Sequence, residues 1–236
     1  MRGAPVPGVS GIFPPPVPGA LGFRDVLEKL GPTRPPVARL GSGGVLPAPR
    51  PPMRPARSAP AAKATLAASI RSAANTAGVD SALSVAVARA ESNLDPHARS
   101  TDGRSVGTFQ MTAATATEMR RRIAAHAVAR PAGPDDVALG VGYLRYLHDV
   151  FGRSARLAPG VRTVPVADAD ERRRFAVAAF NAGEGRVARA QARAAAAGGD
   201  PTRFADVRPY LPPITQRYVD RVADYARAEG TRPPTA

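Results

Sequence analysis

The sequence contains no cysteine and no tryptophan, and aromatic residues make up only 5% of its 236 residues. Without cysteine there is no disulfide framework and no thiolate metal site. The three histidines, His97, His126 and His148, are far apart and show no ligand spacing, so we expect no metal centre and no cofactor. No stretch approaches 18 consecutive apolar residues, so no membrane span is expected.

Acidic residues are few relative to basic ones: 19 Asp and Glu stand against 33 Lys and Arg, a net charge of +14. Such a balance attracts polyanions, which include nucleic acid, anionic lipid and anionic cell-wall polymer. Nucleic acid is the poorest of these partners, because no aromatic residues for base stacking alternate with the arginines. The arginine runs 120–122 and 172–174 are best interpreted as solvated helix faces.

Residues 1–63 form a region of their own, with 15 of the 26 prolines and a net charge of +7. Proline at this density excludes helices and central strands, so we expect a disordered region with polyproline character. Only residues 23–30 have helical spacing, and a docking helix and a transient helix are equally good interpretations. Prolines and glycines also interrupt the first twenty residues, which do not resemble a classical signal peptide.

Residues 64–230 are predicted to form one mainly α-helical domain, followed by a flexible tail at 231–236. Helices are expected at 65–77 and 81–91, and an irregular loop or small hairpin is expected near 97–110, where Asp102-Gly103 is a turn dipeptide. The residues that are expected to start the later helices, from the second onward, are Asp80, Thr112, Asp135 or Asp136, Asp168 or Asp170, and Pro213. The last helix is predicted to place Ile214, Tyr218, Val222 and Tyr225 on one face.

Glu91 is the most informative residue of this domain, because it ends an apolar helical pattern directly before a polar loop. A carboxyl group between an apolar wall and a cleft is expected to have a raised pKa. A carboxylic acid that stays protonated near neutral pH can protonate a glycosidic oxygen. A single glutamate near a helix end is more often simply exposed, so the interpretation depends on the motifs that follow.

Four motifs follow one another in a fixed order. The first is Glu91-Ser92 with Leu94, Pro96, Ala98 and Ser100; the second is Gly107-Thr108-Phe109-Gln110-Met111 with Thr115-Ala116; the third is Ala179-Phe180-Asn181-Ala182-Gly183; the fourth is Thr215-Gln216-Arg217-Tyr218-Val219. Between the second and third motifs, a predicted helix carries Gly140 and Tyr143-Leu144. With these motifs, residues 66–228 resemble the soluble-type (SLT) lytic transglycosylases, whose catalytic domain is helical and similar to goose lysozyme.

The resemblance implies roles for matching residues. Glu91 would be the only catalytic acid and base, and Ser92 would brace the site beside it. The Gly107–Gln110 backbone and the Gln110 side chain would shape a sugar cleft, with Phe109 as an apolar wall that stacks on a sugar. Asn181 and Tyr218 would contact substrate or Glu91. Phe180 replaces the family's usual tyrosine and Ile214 its usual glutamate, so a hydroxyl and a carboxylate are missing.

The family's reaction is a non-hydrolytic cleavage of the MurNAc–GlcNAc bond of peptidoglycan, which leaves 1,6-anhydroMurNAc ends. It needs one carboxyl group, whereas ordinary glycoside hydrolysis needs two. Two other functions remain open: a hydrolytic muramidase with Asp102 as the base, and a catalytically weak peptidoglycan-binding or assembly factor.

Glycan strands of peptidoglycan are therefore the expected partner, and the cell envelope, periplasm or exterior is the expected location. The N-terminal region suggests export by a route other than a classical signal peptide. It also suggests a partner in an envelope-spanning secretion or flagellar apparatus.

Overall fold

The computed structural model describes residues 59–125, 133 and 135–231. Residues 1–58 of the region predicted to be disordered, with the short helical segment at 23–30, lie outside the described residues, as does most of the predicted tail. Residues 59–63 of that region are helical, so for them the predicted disorder is wrong. In the described part the helices are α1 (Ala59–Ala77), α2 (Ser81–Ser92), α3 (Ala113–Ala124), α4 (Asp135–Phe151), α5 (Ala169–Ala182), α6 (Glu184–Ala196), α7 (Phe204–Val207) and α8 (Pro213–Gly230), with a 3-10 helix at Arg208–Tyr210.

Polar caps begin three of the helices at the predicted residues. The Asp80 side chain accepts a hydrogen bond from the Leu83 N–H, and the Thr112 hydroxyl accepts one from the Thr115 N–H. Asp168, one of the two candidates for the start of α5, accepts bonds from the N–H groups of residues 170 and 171. Each cap satisfies amide groups that have no partner inside the helix.

The strands are short and form two hairpins. β1 (Ser105–Val106) pairs antiparallel with β2 (Met111–Thr112), and an isolated bridge joins Arg99 to Val106. The hairpin predicted near 97–110 is therefore present. Residues 107–110 join β1 to β2, and the Asp102-Gly103 turn lies between the bridged residues Arg99 and Val106. The second hairpin, β3 (Arg156–Ala158) with β4 (Val161–Arg162), was not predicted.

The start of α1 and the buried face of α8 differ from those expected from the sequence. α1 begins at Ala59 and not at residue 65, because Ala59 to Ala64 are good helix formers and Pro60 stands in the first turn, where proline is tolerated. Ile214 was expected on one face with Tyr218 and Val222 but is 39% exposed, whereas Thr215 in the same turn is buried, so Ile214 lies at the edge of the buried face of α8.

One hydrophobic core holds the helices together. The apolar side chains of α4, among them Val137, Leu144 and Val150, are buried. α5 contributes Phe175, which packs between Phe151 and Phe204. Gln191 is fully buried in the same core but is satisfied: its amide donates to the carbonyls of Val164 and Pro201 at 3.0 Å each, and its oxygen accepts from the Val164 N–H at 3.1 Å.

α2 packs extensively against α8, and charged residues also hold these two helices together. The Glu229 carboxylate of α8 is buried and lies 2.6 Å from the Arg71 guanidinium of α1 and 3.9 Å from that of Arg89 on α2. Arg89 also lies over the ring of Tyr225, 4.6 Å from its centroid. A buried carboxylate that lost these partners would be strongly destabilising, so the ion pairs fix α8 against α1 and α2.

Neither a membrane-spanning helix nor a metal site is found in the described ranges. None of the described helices combines the length and apolarity that crossing a bilayer requires. No group of three His, Asp or Glu side chains in the same residues is placed to hold a metal ion.

Gly140 makes the contact between α4 and the loop that carries Phe109. A Cβ atom at Gly140 would lie 2.2 Å from the Phe109 Cγ and 2.8 Å from its Cβ, which is far inside van der Waals contact. The Phe109 ring is only 1% exposed, so it has no room to move aside. Only glycine lets the two elements pack at this distance.

We therefore expect Gly140→Ala to lower the free energy of unfolding by about 1–3 kcal/mol through overpacking. Thermal and urea unfolding of both proteins would measure this difference. Gly230→Ala is the control, because a Cβ atom there meets nothing within 4 Å. Equal stability of the Gly140→Ala variant and the wild type would show that the loop gives way easily.

Candidate active site

Glu91 lies in the last turn of α2, one residue before the helix ends, and its side chain is half-buried. The helix stops because Asn93 adopts the left-handed conformation at φ 55° and ψ 38°, with its N–H bonded to the Arg89 carbonyl. Asparagine is one of the few side chains that tolerate this conformation. The carboxyl group thus stands at the point where the helix gives way to the loop, as the sequence predicted.

The Tyr218 hydroxyl of α8 donates a hydrogen bond of 2.6 Å to Oε1 of Glu91. The tyrosine is 2% exposed, so its ring is fixed by the surrounding core. A hydroxyl on a rigid ring orients the carboxyl group it binds. The expected contact of Tyr218 with Glu91 is therefore present, and the two residues are 127 positions apart in the chain.

The backbone beside Glu91 is strained. In the described part of the chain, the non-glycine residues with positive φ are Asn93 (55°), Leu94 (59°) and Gln110 (46°). All three lie in the segment that joins α2 to α3. A left-handed conformation is unfavourable for a branched residue such as Leu94, and it persists only where surrounding contacts hold it.

Ser92 supplies several of these contacts. Its hydroxyl donates to the Thr108 carbonyl at 2.8 Å and to the Ala88 carbonyl at 3.2 Å, and it accepts from the Asp95 N–H at 3.1 Å. One side chain therefore links the end of α2, the turn after it and the 107–110 loop. This is the bracing position that the resemblance implied for Ser92.

Gln110 and Gly107 shape the loop between β1 and β2. The Gln110 amide donates to the carbonyls of Ala98 (3.0 Å) and Gly107 (2.9 Å). Gly107 has φ 81°, and a Cβ atom there would approach Oδ2 of Asp136 to 3.1 Å. The same Asp136 oxygen accepts the Thr108 N–H at 3.1 Å, so the first turn of α4 holds the loop.

Aromatic rings form a wall beside this loop. Phe180 is half-buried and lies with its centroid 5.2 Å from that of Tyr143 and 6.3 Å from that of Phe109. Phe109, by contrast, is 1% exposed. A ring so deeply buried supports the wall from behind and has no free face for a sugar, so the stacking role expected for Phe109 does not fit this structure.

Asn181 is buried next to this wall, and its Oδ1 accepts a hydrogen bond of 2.9 Å from the Thr215 hydroxyl. Thr215 lies on α8 one turn before Tyr218, so this bond joins the end of α5 to the helix that contacts Glu91. Contact of Asn181 with substrate stays a prediction. The eight predicted site residues nevertheless lie in one region, where hydrogen bonds, ring contacts or adjacency in the chain connect them.

Glu184, a second carboxylate, was missed in the sequence. Its Oε2 accepts a hydrogen bond of 3.4 Å from the Tyr143 hydroxyl, and burial, followed by the Glu184 charge, raises the pKa of Tyr143 well above its ordinary value. Its position directly after the third motif is a signal that could have identified it.

Asp102, the alternative base, and the nearby Asp95 are engaged in local structure. Asp102 accepts bonds from the Ser100 hydroxyl (2.6 Å) and the Arg104 N–H (3.1 Å), and the bond from Ser100 is the main cause of its lowered pKa. Asp95 accepts the His97 N–H at 2.8 Å and closes its own turn.

Comparison with known proteins shows the family to which this chain belongs. The model of the transglycosylase SLT domain matches residues 68–201, which is more than half of the chain. The chain belongs to this family. The resemblance inferred from the four motifs is thus confirmed.

One relative and two solved structures extend the comparison. Membrane-bound lytic murein transglycosylase F of Desulfosudis oleivorans is 32% identical over 160 residues, which are 67% of this chain and 31% of that protein. The chain therefore spans about a third of the length of this relative.

An inactive Glu-to-Gln mutant of the lytic transglycosylase Slt from Pseudomonas aeruginosa matches with a TM-score of 0.50 at 24% identity, covering 69% of this chain and 23% of that one. The 70 kDa soluble lytic transglycosylase of Escherichia coli matches with a TM-score of 0.49 at 22% identity, covering 69% of this chain and 23% of that one. The first likeness supports the expected mainly α fold of the SLT domain.

Proposed function

We propose that this SLT domain is a peptidoglycan lytic transglycosylase with Glu91 as its single acid and base. The observation that carries the proposal is the bond from the rigid Tyr218 hydroxyl to the Glu91 carboxyl at the end of α2. Membership of the SLT family and the likeness to a lytic murein transglycosylase support it.

The reaction needs no second carboxylate. Protonated Glu91 gives its proton to the oxygen between MurNAc and GlcNAc as the bond from MurNAc C1 to that oxygen breaks. The N-acetyl group of MurNAc stabilises the positive charge on C1. The C6 hydroxyl oxygen of the same sugar then bonds to C1 and passes its proton to the Glu91 carboxylate. The acid is restored, a 1,6-anhydro ring is formed and no water is consumed.

Residues of the chain support these reaction steps by orienting the Glu91 carboxyl group. Tyr218 holds Oε1 of Glu91, and Ser92 holds the loop that follows it. Because C6 and C1 belong to one sugar, the attacking oxygen is already close, and proximity replaces an activated water. Asp102, the base that a hydrolytic mechanism would use, is bound to its own turn.

Mass spectrometry of the products released from purified peptidoglycan tests the reaction. We expect muropeptides that end in 1,6-anhydroMurNAc, lighter by one water than hydrolytic products. Glu91→Gln should abolish their release and leave the helical circular dichroism unchanged, because the amide cannot donate a proton as a carboxylic acid does. Reducing ends would establish a hydrolase; glycan binding without release would favour the binding factor.

The Tyr218 hydroxyl gives a second test. We expect Tyr218→Phe to lower kcat about 10- to 100-fold, since Glu91 becomes charged as it gives up its proton and a hydrogen bond to a charged group is worth about 1.5–3 kcal/mol. The ring remains in place, so the melting temperature should change little. Tyr225→Phe on the same helix is the matched control and should keep full activity. Unchanged kcat in the Tyr218→Phe variant would remove the hydroxyl from the mechanism.

We also propose that residues 1–63 place the enzyme at an envelope-spanning apparatus of the secretion or flagellar type. The proposal rests on their proline content and net charge of +7. We expect deletion of residues 1–58, all before α1, to leave cleavage of purified peptidoglycan unchanged but to disperse a fluorescent fusion in the cell. An unchanged distribution of the truncated fusion would contradict this role.

A further inference from the structure

A basic groove lies on the outer side of α6. One wall consists of Arg186, Arg189 and Arg193, and the other consists of residues 209–212; the groove encloses about 520 Å³. This volume is within the range of ligand pockets. The three arginines are spaced i, i+3 and i+7, so they lie on one face of the helix.

The arginines of this wall crowd positive charge together. Arg189 and Arg193 are exposed, and neither has a carboxylate at ion-pair distance among the residues that the structure describes. Arg186 is half-buried, and burial together with the charge of Arg189 lowers its pKa. Like charges held side by side are stabilised by a bound anion.

The dimensions of the groove favour a short chain with several negative charges over one small anion. From Arg186 to Arg193 the helix rises about 10 Å at 1.5 Å per residue. An extended peptide covers the same distance in about three residues, at 3.3 Å each. Guanidinium groups also match the planar, two-oxygen geometry of carboxylates.

The opposite wall suits a peptide. It consists of Pro209, Tyr210, Leu211 and Pro212, with Tyr210 36% exposed. Its apolar rings and side chains provide contact for small apolar side chains of a peptide. A fully hydrated, highly charged polymer such as a phosphodiester chain gains nothing from this wall, since its charges would lose water there.

The groove adjoins the candidate active site. Arg186 follows the end of α5 by four residues, and α5 carries Asn181. Pro212 is the residue before α8 and stands three positions before Thr215, the hydrogen-bond partner of Asn181 at 2.9 Å. Each wall is therefore within five residues of one member of the Asn181–Thr215 pair, which places the groove within reach of a peptide attached to a glycan in the site.

We propose that this groove binds the free carboxylates of the peptides that branch from peptidoglycan glycan strands. The proposal rests on the proposed function, because it assigns the substrate's side branch to a second part of the same site. It predicts that the enzyme discriminates between strands by the charge of their peptides.

Equilibrium binding to the full chain carrying Glu91→Gln tests the groove without turnover. Three probes are compared: a GlcNAc–MurNAc disaccharide bearing a tetrapeptide with free carboxylates, the same molecule with its carboxylates amidated, and the bare disaccharide. We expect Arg189→Ala/Arg193→Ala to raise the Kd of the first probe about tenfold. The Kd values of the other two probes should change less than twofold.

Arg120→Ala/Arg227→Ala is the control, since it removes the same charge from positions outside the groove. It should leave all three Kd values unchanged. An equal loss for all three probes, or no loss for any, would overturn the proposal. A third result would also overturn the proposal: a polyglycerol phosphate displaces the first probe from the protein that keeps all groove arginines, and amidation of the probe does not change its Kd. That result would assign the groove to phosphate polymers.

The product analysis separates failure of this proposal from failure of the function. If the wild-type chain forms no 1,6-anhydro ends but the binding pattern holds, the proposed reaction is wrong and the groove stands. If the ends form and amidation makes no difference to binding, the reaction stands and the groove assignment is wrong.

Discussion

The packing of α2 against α8 is the constraint on which the site depends. α2 carries Glu91 and α8 carries Tyr218, and the short bond between them exists only if the two helices hold a fixed register. The buried Glu229 carboxylate, paired with Arg71 of α1 and Arg89 of α2, holds α8 about three turns beyond Tyr218. Ionic and apolar contacts away from the site thus determine the orientation of one carboxyl group.

The loops around Glu91 achieve rigidity by a different means. Three non-glycine residues with positive φ are retained there, because hydrogen bonds from Ser92 and Gln110 tie the strained segments to each other. Gly140 lets the buried Phe109 ring anchor the same loop to α4. Strain held by many contacts keeps a site in one geometry, which is what proton transfer at a defined position requires.

The groove on α6 extends this arrangement outward. The third and fourth motifs, which carry Asn181 and Thr215, each lie within three residues of one of its walls. Under the proposed function, the branch of the polymer needs contacts as well as its backbone. From the sequence, the many arginines predicted only a general attraction to polyanions. The structure places three of them, Arg186, Arg189 and Arg193, together in one groove.

Much of the helical framework followed from local chemistry. Asp80, Thr112, Asp168 and Pro213 start helices because their side chains or ring geometry suit those positions wherever the chain goes, and the four motifs identified the family. The short hairpin at 156–162 was missed, since two- and three-residue strands leave no periodic pattern. Glu184 was missed because its partner, Tyr143, is 41 residues away.

The sequence by itself determined the helices, the SLT motifs and Glu91 as the candidate acid, because these depend on neighbouring residues. Only the tertiary structure decided that Tyr218 holds Glu91, that Phe109 is buried behind the wall and that three arginines face an apolar wall. Each of these depends on distances between segments far apart in the chain, and those distances are set by how the helices pack.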